Sequence, residues 1–169
     1  MDIELQLASS QDARALLELQ ITLDHESTFM LLEPGEREPD HDRLCKRLAD
    51  EADPSYTVIA MHGEKAAGYV SVGISSYARA RATGHLVIGV AERYARRGLG
   101  RDLLQAAREQ AVSRGLHRLE LTVMEHNRRA LGLYLSFGFQ VEGLRRDVLE
   151  VADERVSEYY MGLLLTPST

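Results

Sequence analysis

An apolar run, His85 to Val90 (HLVIGV), leads through an arginine-bearing turn with two glycines, Gly98 and Gly100, into the stretch Leu99 to Arg114. There Leu99, Leu103, Leu104, Ala107 and Ala111 fall on one stripe while Arg101, Asp102, Arg108 and Glu109 face elsewhere. A strand that feeds a one-faced helix through a tight loop needs a sheet for that helix to cover, which points to an α/β fold. Gly115 is placed to end the helix.

The flanking sequence repeats the alternation. Ile3 to Ser9 alternates apolar and polar as a half-buried strand does. Ser9 with Asp12 resembles a capping box, after which Leu16, Leu17, Ile21 and Leu23 recur at helical spacing. Leu31 to Asp42 holds two prolines, a glycine and several carboxylates, so it reads as a loop before a short helix from about Asp42 to Ala52. Two β-rich runs flank the turn signal His62-Gly63-Glu64 as a hairpin, and His85 to Val90 extends the sheet. His117 to Val123 is the next strand. A helix capped by Asn127 and stopped at Gly138 follows, and two closing strands end the pattern. The order is β-α-α-β-β-β-α-β-α-β-β, with helices covering a mixed sheet.

Composition narrows the class. A chain of 169 residues fits one domain spanning residues 1–169 and buries roughly 70% of its unfolded surface, so its core suffices. The single Cys45 excludes an internal disulfide and a multi-cysteine metal site. Together with an N-terminus that lacks the basic and apolar regions of a signal peptide, it leads us to expect a cytoplasmic protein that binds no metal. Apolar runs are far shorter than the roughly 20 residues of a membrane helix. A formal net charge of −6 argues against nucleic-acid binding, which takes a basic face.

Against that acidic background Arg93, Arg96, Arg97 and Arg101 crowd the turn before the helix, with no acidic residue among them. The first turn of a helix leaves backbone N–H groups unpaired and partly positive, and glycines let a ligand approach without meeting a Cβ. A pyrophosphate or a 3′-phosphate suits such a loop; the alternative is a relaxed turn with solvated arginines. Two other phosphate loops are excluded. A dinucleotide fingerprint needs a third glycine where Leu103 stands and follows its strand directly, whereas seven residues separate Val90 from Gly98. A Walker-type loop needs a Gly-Lys-Ser/Thr ending, and lysine occurs only at Lys46 and Lys65.

The blocks VIGVAERYARRGLGRDLL and LELTVMEHNRRALGLYLSFGFQVEG resemble the coenzyme A-binding half of the GNAT superfamily of N-acetyltransferases. The resemblance covers about residues 85–143 well and the rest through element order. Gly98 and Gly100 match the family's loop, while Ala95 stands where the family has Gln or Arg, so Arg96 or Arg97 would replace the lost donor. The resemblance implies a largely antiparallel sheet with two splayed parallel strands, His85 to Val90 and Arg118 to Val123, and helices on both faces. It also implies acetyl-CoA as acetyl donor. The phosphates would lie on Arg96, Arg97, Gly98, Leu99, Gly100 and Arg101. The pantetheine arm would meet backbone groups of Ile88 and Val90, with Gly89 allowing a bulge or close approach.

In the second block Asn127 and Tyr134 are seven residues apart, nearly two helical turns, and so share a face, with Leu133 and Phe137 pointing toward the core. The resemblance implies that Asn127 hydrogen-bonds the arm and that Tyr134 stands at the sulfur. The plainer alternatives are an N-cap alone and a core aromatic.

The implied reaction is attack of a neutral amine on the thioester carbonyl, giving a tetrahedral oxyanion and then the free thiolate. Tyr134 would be the general acid and the Val90 amide a donor to the oxyanion. His85 is the candidate base, with Glu120 acting through water as the other. A small-molecule amine such as an amino acid is the expected acceptor; nucleic acid and membrane are not expected partners, and a homodimer is left open. Glu33, Glu36 and Glu38 would attract a cationic amine unless they form a solvated loop, and Arg145 or Arg146 would pair with a carboxylate. The other readings are a protein N-terminal or lysine acetyltransferase and a non-catalytic acyl-CoA-binding module.

Overall fold

The computed structural model describes residues 2–165; Met1 and residues 166–169 lie outside the described residues. Its strands are β1 (Glu4–Leu7), β2 (Tyr56–His62), β3 (Lys65–Ile74), β4 (Thr83–Val90), β5 (Arg118–Met124), β6 (Gln140–Val151) and β7 (Glu154–Leu164). The helices are α1 (Ala13–Glu26), α2 (His41–Ala49), α3 (Leu99–Ser113) and α4 (Arg128–Phe137). The order along the chain is the one the periodicity predicts. The strands build one sheet in the order β1-β2-β3-β4-β5-β7-β6, in which β4 and β5 run parallel and every other neighbouring pair is antiparallel.

The local signals explain the boundaries. The Ser9 amide donates to Asp12 Oδ2 at 2.8 Å and the Gln11 amide to Ser9 Oγ at 3.3 Å, a capping box on a short 3₁₀ turn that runs into α1. Asn127 caps α4, and Gly138, at φ 118°, takes the left-handed position that ends it. β1 departs from expectation, being exposed along its length rather than half-buried. It is an edge strand. Its Leu5 and Leu7 overhang a shallow hollow against Gln105, Ala106 and Glu109 of α3, with no layer beyond it.

Helices cover both faces. Tyr56 of β2 donates to the Ala107 carbonyl of α3 at 2.6 Å, and through the register Tyr56–Val72–Leu86 this marks the α3 face of the sheet. On the other face a Cβ at Gly89 would lie 2.5 Å from Leu23 Cδ1, so α1 sits on β4 closely enough to require glycine there. The core between the layers is built from fully buried side chains such as Leu16, Ile59, Leu103, Leu104, Leu119, Leu121, Phe139 and Met161.

Candidate active site: a cleft through the sheet

β4 and β5 share three register pairs, Thr83–Arg118, Gly84–Leu119 and His85–Glu120, and then part. β4 stays on β3 as far as Val90 and β5 stays on β7 as far as Met124, so both remain in the sheet while a gap opens between them. Backbone direction alternates along a strand. The Ala91 amide donates to Ala67 on the β3 side, whereas the Ala82 carbonyl accepts from His117 on the β5 side. By that alternation the N–H and C=O groups of Ile88 and Val90 face the gap. The β3–β4 register runs unbroken past Gly89, so of the two alternatives, a bulge or a close approach, there is no bulge. This glycine makes room for Leu23 instead.

The gap widens into a cleft of about 800 Å³. Of the residues assigned to the donor, together with Tyr134 and His85, all but Arg97 line it: Ile88, Gly89, Val90, Arg96, Gly98, Leu99, Gly100, Arg101 and Asn127 with Tyr134 and His85. Because β4 meets α3 on one face and α1 on the other, the cleft beside it has two chemically different mouths.

The mouth on the α3 face gathers a helix N-terminus and several arginines. Gly98 caps α3 at φ 84°, a left-handed conformation that favours glycine, and no side chain caps the helix. The Arg101 and Asp102 amides turn back to the Gly98 carbonyl at 2.9 and 3.1 Å. The Leu99 and Gly100 amides ahead of them, in the first turn, have no hydrogen-bond partner among the described residues. Arg96, itself at φ 62°, Arg101 and Arg129 of α4 add positive charge. Arg93 is taken elsewhere: its guanidinium lies 4.4 Å from the Tyr94 ring centre and donates to the Tyr94 hydroxyl. A Cβ on Gly100 would lie 3.1 Å from Leu133 Cδ2. Leu133 packs against the core, as its helical position suggested, and also lines the cleft opposite α3.

Deeper in, Asn127 does two things. Its Oδ1 accepts from the Ala130 amide at 3.2 Å as the cap of α4, and its remaining surface faces the cleft. Tyr134 is 7% exposed, with its ring 5.9 Å from that of Phe139 in an edge-on contact. Its hydroxyl makes no hydrogen bond with the described residues. Burial pushes the phenol well above its ordinary range, so it carries its proton throughout the neutral region.

On the α1 face His85 Nδ1 lies 3.9 Å from Glu120 Oε1. The Glu120 carboxylate accepts from the Tyr160 hydroxyl at 2.8 Å and from Arg118 Nε at 2.9 Å, and Arg118 also donates to Glu142 at 2.7 and 2.5 Å. Partial burial works against the charge on Glu120. The hydrogen bonds from Tyr160 and Arg118 outweigh it and hold the carboxyl below the usual range. Glu120 does not line the cleft; it stands behind His85.

The walls at this mouth are residues that sequence reasoning missed. Phe29, Met30 and Leu31, from the loop after α1, form one side, and Val148, Leu149 and Glu158 from the β6–β7 hairpin form the other. The hairpin's register shifts between Arg145 and Leu149, both of which line the cleft, and the sequence does not announce this. The loop is tied down by Arg37, which grips the buried Asp24 of α1 at 2.6 and 3.0 Å. Arg145 pairs with Glu158 at 3.1 Å. Glu33, Glu36 and Glu38 lie exposed outside the cleft, and Glu36 accepts from the Glu33 amide at 2.9 Å. Among the described residues no group of three His, Cys, Asp or Glu side chains is arranged to hold a metal ion.

A sheet opened between the only parallel pair among the described strands, with an uncapped helix N-terminus at the opening, defines a class of acyl-transfer fold. The chain belongs to the acetyltransferase (GNAT) family, whose profile matches residues 19–139. The GNAT-family acetyltransferase of Streptococcus pneumoniae is 29% identical and superposes with a TM-score of 0.87 over 98% of this chain and 100% of that one. YncA of Salmonella typhimurium, whose structure holds acetyl-CoA, shares the fold at 20% identity, with a TM-score of 0.86 over 100% of this chain and 97% of that one. The [ribosomal protein bS18]-alanine N-acetyltransferase of Escherichia coli K12 is 37% identical over 76 residues, 45% of this chain and 51% of the relative. The chain thus spans about half the length of the curated relatives it matches.

Proposed function

We propose that this chain, as one acetyltransferase domain, moves the acetyl group of acetyl-CoA to the amine of a small molecule held beside it in a ternary complex. The observation that carries this reading is the parting of β4 and β5 after His85 and Glu120, which turns the backbone of Ile88 and Val90 into the cleft below an uncapped helix N-terminus.

The residues present fit the donor. The amides of Leu99 and Gly100, with Arg96 and Arg101, suit the pyrophosphate. Ile88 and Val90 offer strand-like hydrogen bonds to the amide-containing arm, and Asn127 offers its side-chain amide. When bound, acetyl-CoA supplies a thioester carbonyl as electrophile. Near it the Val90 amide is a donor to developing negative charge, and Tyr134 holds a proton at its hydroxyl for the departing sulfur. His85 takes the proton of the incoming amine, with Glu120 and Tyr160 ranged behind it. The lone Cys45 supports a reducing, cytoplasmic setting, and among the described residues no helix is long and apolar enough to cross a membrane.

The wall on the α1 face favours a small acceptor, since loop and hairpin bound the cleft there on two sides. A second reading, acetylation of a protein α-amine, is favoured by the partial likeness to the ribosomal-protein alanine acetyltransferase. Steady-state acetyl-CoA turnover across a panel of free amines and short peptides decides between them. Turnover with free amines supports the first reading, turnover with peptides alone supports the second, and binding of acetyl-CoA without any turnover overturns both.

A further inference from the structure

We propose that the mouth of the cleft on the α1 face is an acceptor subsite for a primary amine carried on an apolar aliphatic or aromatic body, rather than for a polycation. The inference rests on the acetyltransferase reading, because it takes the opposite mouth to be filled by the donor.

Three separate elements bring apolar side chains to this one mouth: Phe29, Met30 and Leu31 from the loop after α1, Val87 from β4, and Val148 and Leu149 from the hairpin. Leu31 is 75% exposed and Val87 46% exposed. Apolar groups left in water around one concave site mark a place where an apolar partner is received. Phe29 is held in place by its ring contact with His126 at 5.1 Å, and the loop that carries it by the Arg37–Asp24 pair. The collar therefore exists before any ligand arrives.

The polar groups at the mouth set the charge of the occupant. Glu158 is 9% exposed and lines the cleft; Arg145 holds its Oε2 at 3.1 Å, while its Oε1 has no hydrogen-bond partner among the described residues. One carboxylate oxygen can thus receive one ammonium group, and Arg145 cancels the remaining field. Glu33, Glu36 and Glu38, which would have drawn a polyamine, lie outside. His85, on the same sheet face, is positioned to take the proton that the ammonium gives up before it attacks. A single amine on an apolar body satisfies both the collar and the lone acceptor, whereas a second cationic group meets either apolar side chains or Arg145.

Methionine methyl groups give a readout that needs no catalysis. Met30 and Met124 line the cleft, whereas Met61 and Met161 do not. With the protein labelled at methionine methyls and saturated with coenzyme A, hexylamine should shift the Met30 signal saturably and leave Met61 and Met161 in place, while putrescine at the same concentrations should not. In acetyl transfer, kcat/KM should rise about fourfold per added methylene from propylamine to hexylamine, the value expected when a CH₂ is buried. Leu31→Asp, a surface change that the fold tolerates, should flatten that series and leave acetyl-CoA affinity alone. A saturable Met30 shift without transfer would support the subsite and overturn the enzymatic reading. Transfer with no chain-length dependence and an unmoved Met30 would overturn the subsite and keep the enzyme, as would putrescine matching hexylamine.

Discussion

His85 and Glu120 form the last register pair between β4 and β5, and the sheet opens immediately beyond them. The pair marks where backbone pairing stops holding the strands together and side chains take over. Tyr160 and Arg118 fix Glu120 from β7 and from β5 itself, and Glu142 of β6 fixes Arg118. The closed end of the cleft is thus braced by hydrogen bonds that involve three strands, while the open end is free to receive a ligand.

Glu120 makes that brace sensitive to acid. Its folded-state pKa is held below the unfolded value of about 4.3, so its contribution is complete above that value and is lost as the pH falls through the folded one. Glu120→Gln should therefore melt below the wild type at pH 7, and the gap should close as the pH drops below about 4.3. Melting temperatures followed by circular dichroism from pH 7 to pH 3 check this. A gap that stays constant would mean that the carboxylate's charge is not what braces the strands.

Tyr134→Phe keeps the ring against Phe139 and removes only the hydroxyl. Acetyl-CoA affinity and melting temperature should hardly change, while kcat and kcat/KM fall together by about 100- to 10,000-fold, or roughly 3 to 5 kcal/mol. The lower end is expected, because a thiolate leaves readily. Steady-state kinetics alongside calorimetry test it, and an unchanged kcat would make Tyr134 a packing residue.

At Gly100 two effects separate by side-chain size. Gly100→Ala gains helix propensity of about 1 kcal/mol against a small shift of Leu133, whose terminal methyl is 3.1 Å away, so its melting temperature should stay near the wild type. Gly100→Val adds bulk where the pyrophosphate is proposed to lie, and should weaken acetyl-CoA binding at least tenfold. Equal affinity in wild type and a folded Gly100→Val protein would remove the loop from the donor site.

These positions also show what could be read from the sequence. Caps and stops such as Ser9, Asp12, Asn127 and Gly138 act over a few residues, so element order and most boundaries were legible. That Gly98 to Arg101, Asn127 and Tyr134 line one cleft was legible for the same reason, since each group is nearly contiguous in the chain. The acceptor half was not. Glu158 reaches the cleft only through the long-range pairing of β7 with β5 and β6, and Phe29 to Leu31 reach it through a loop tied down by Arg37 and Asp24, thirteen residues apart.

The Arg37–Asp24 pair carries its own test. Asp24 is 2% exposed at its side chain and Arg37 20%, so Arg37→Ala leaves a buried carboxylate unpaired, at a cost of about 3 kcal/mol. The loop that bears Phe29 should loosen, raising the KM for the amine acceptor more than that for acetyl-CoA. Denaturant unfolding and kinetics on the variant check both parts, and a change in the acetyl-CoA KM alone would contradict the assignment of the loop to the acceptor side.

The central claim is that acetyl-CoA occupies the opening between β4 and β5, and a titration of acetyl-CoA followed through backbone amide signals tests it most directly. The signals of Ile88, Val90, Leu99, Gly100 and Arg101 should move together and saturably at one stoichiometric site, while those of β1 and β2 stay still. Saturable binding that leaves Ile88 and Val90 unmoved, or that shifts the hollow around Leu5 and Leu7 instead, would contradict the account.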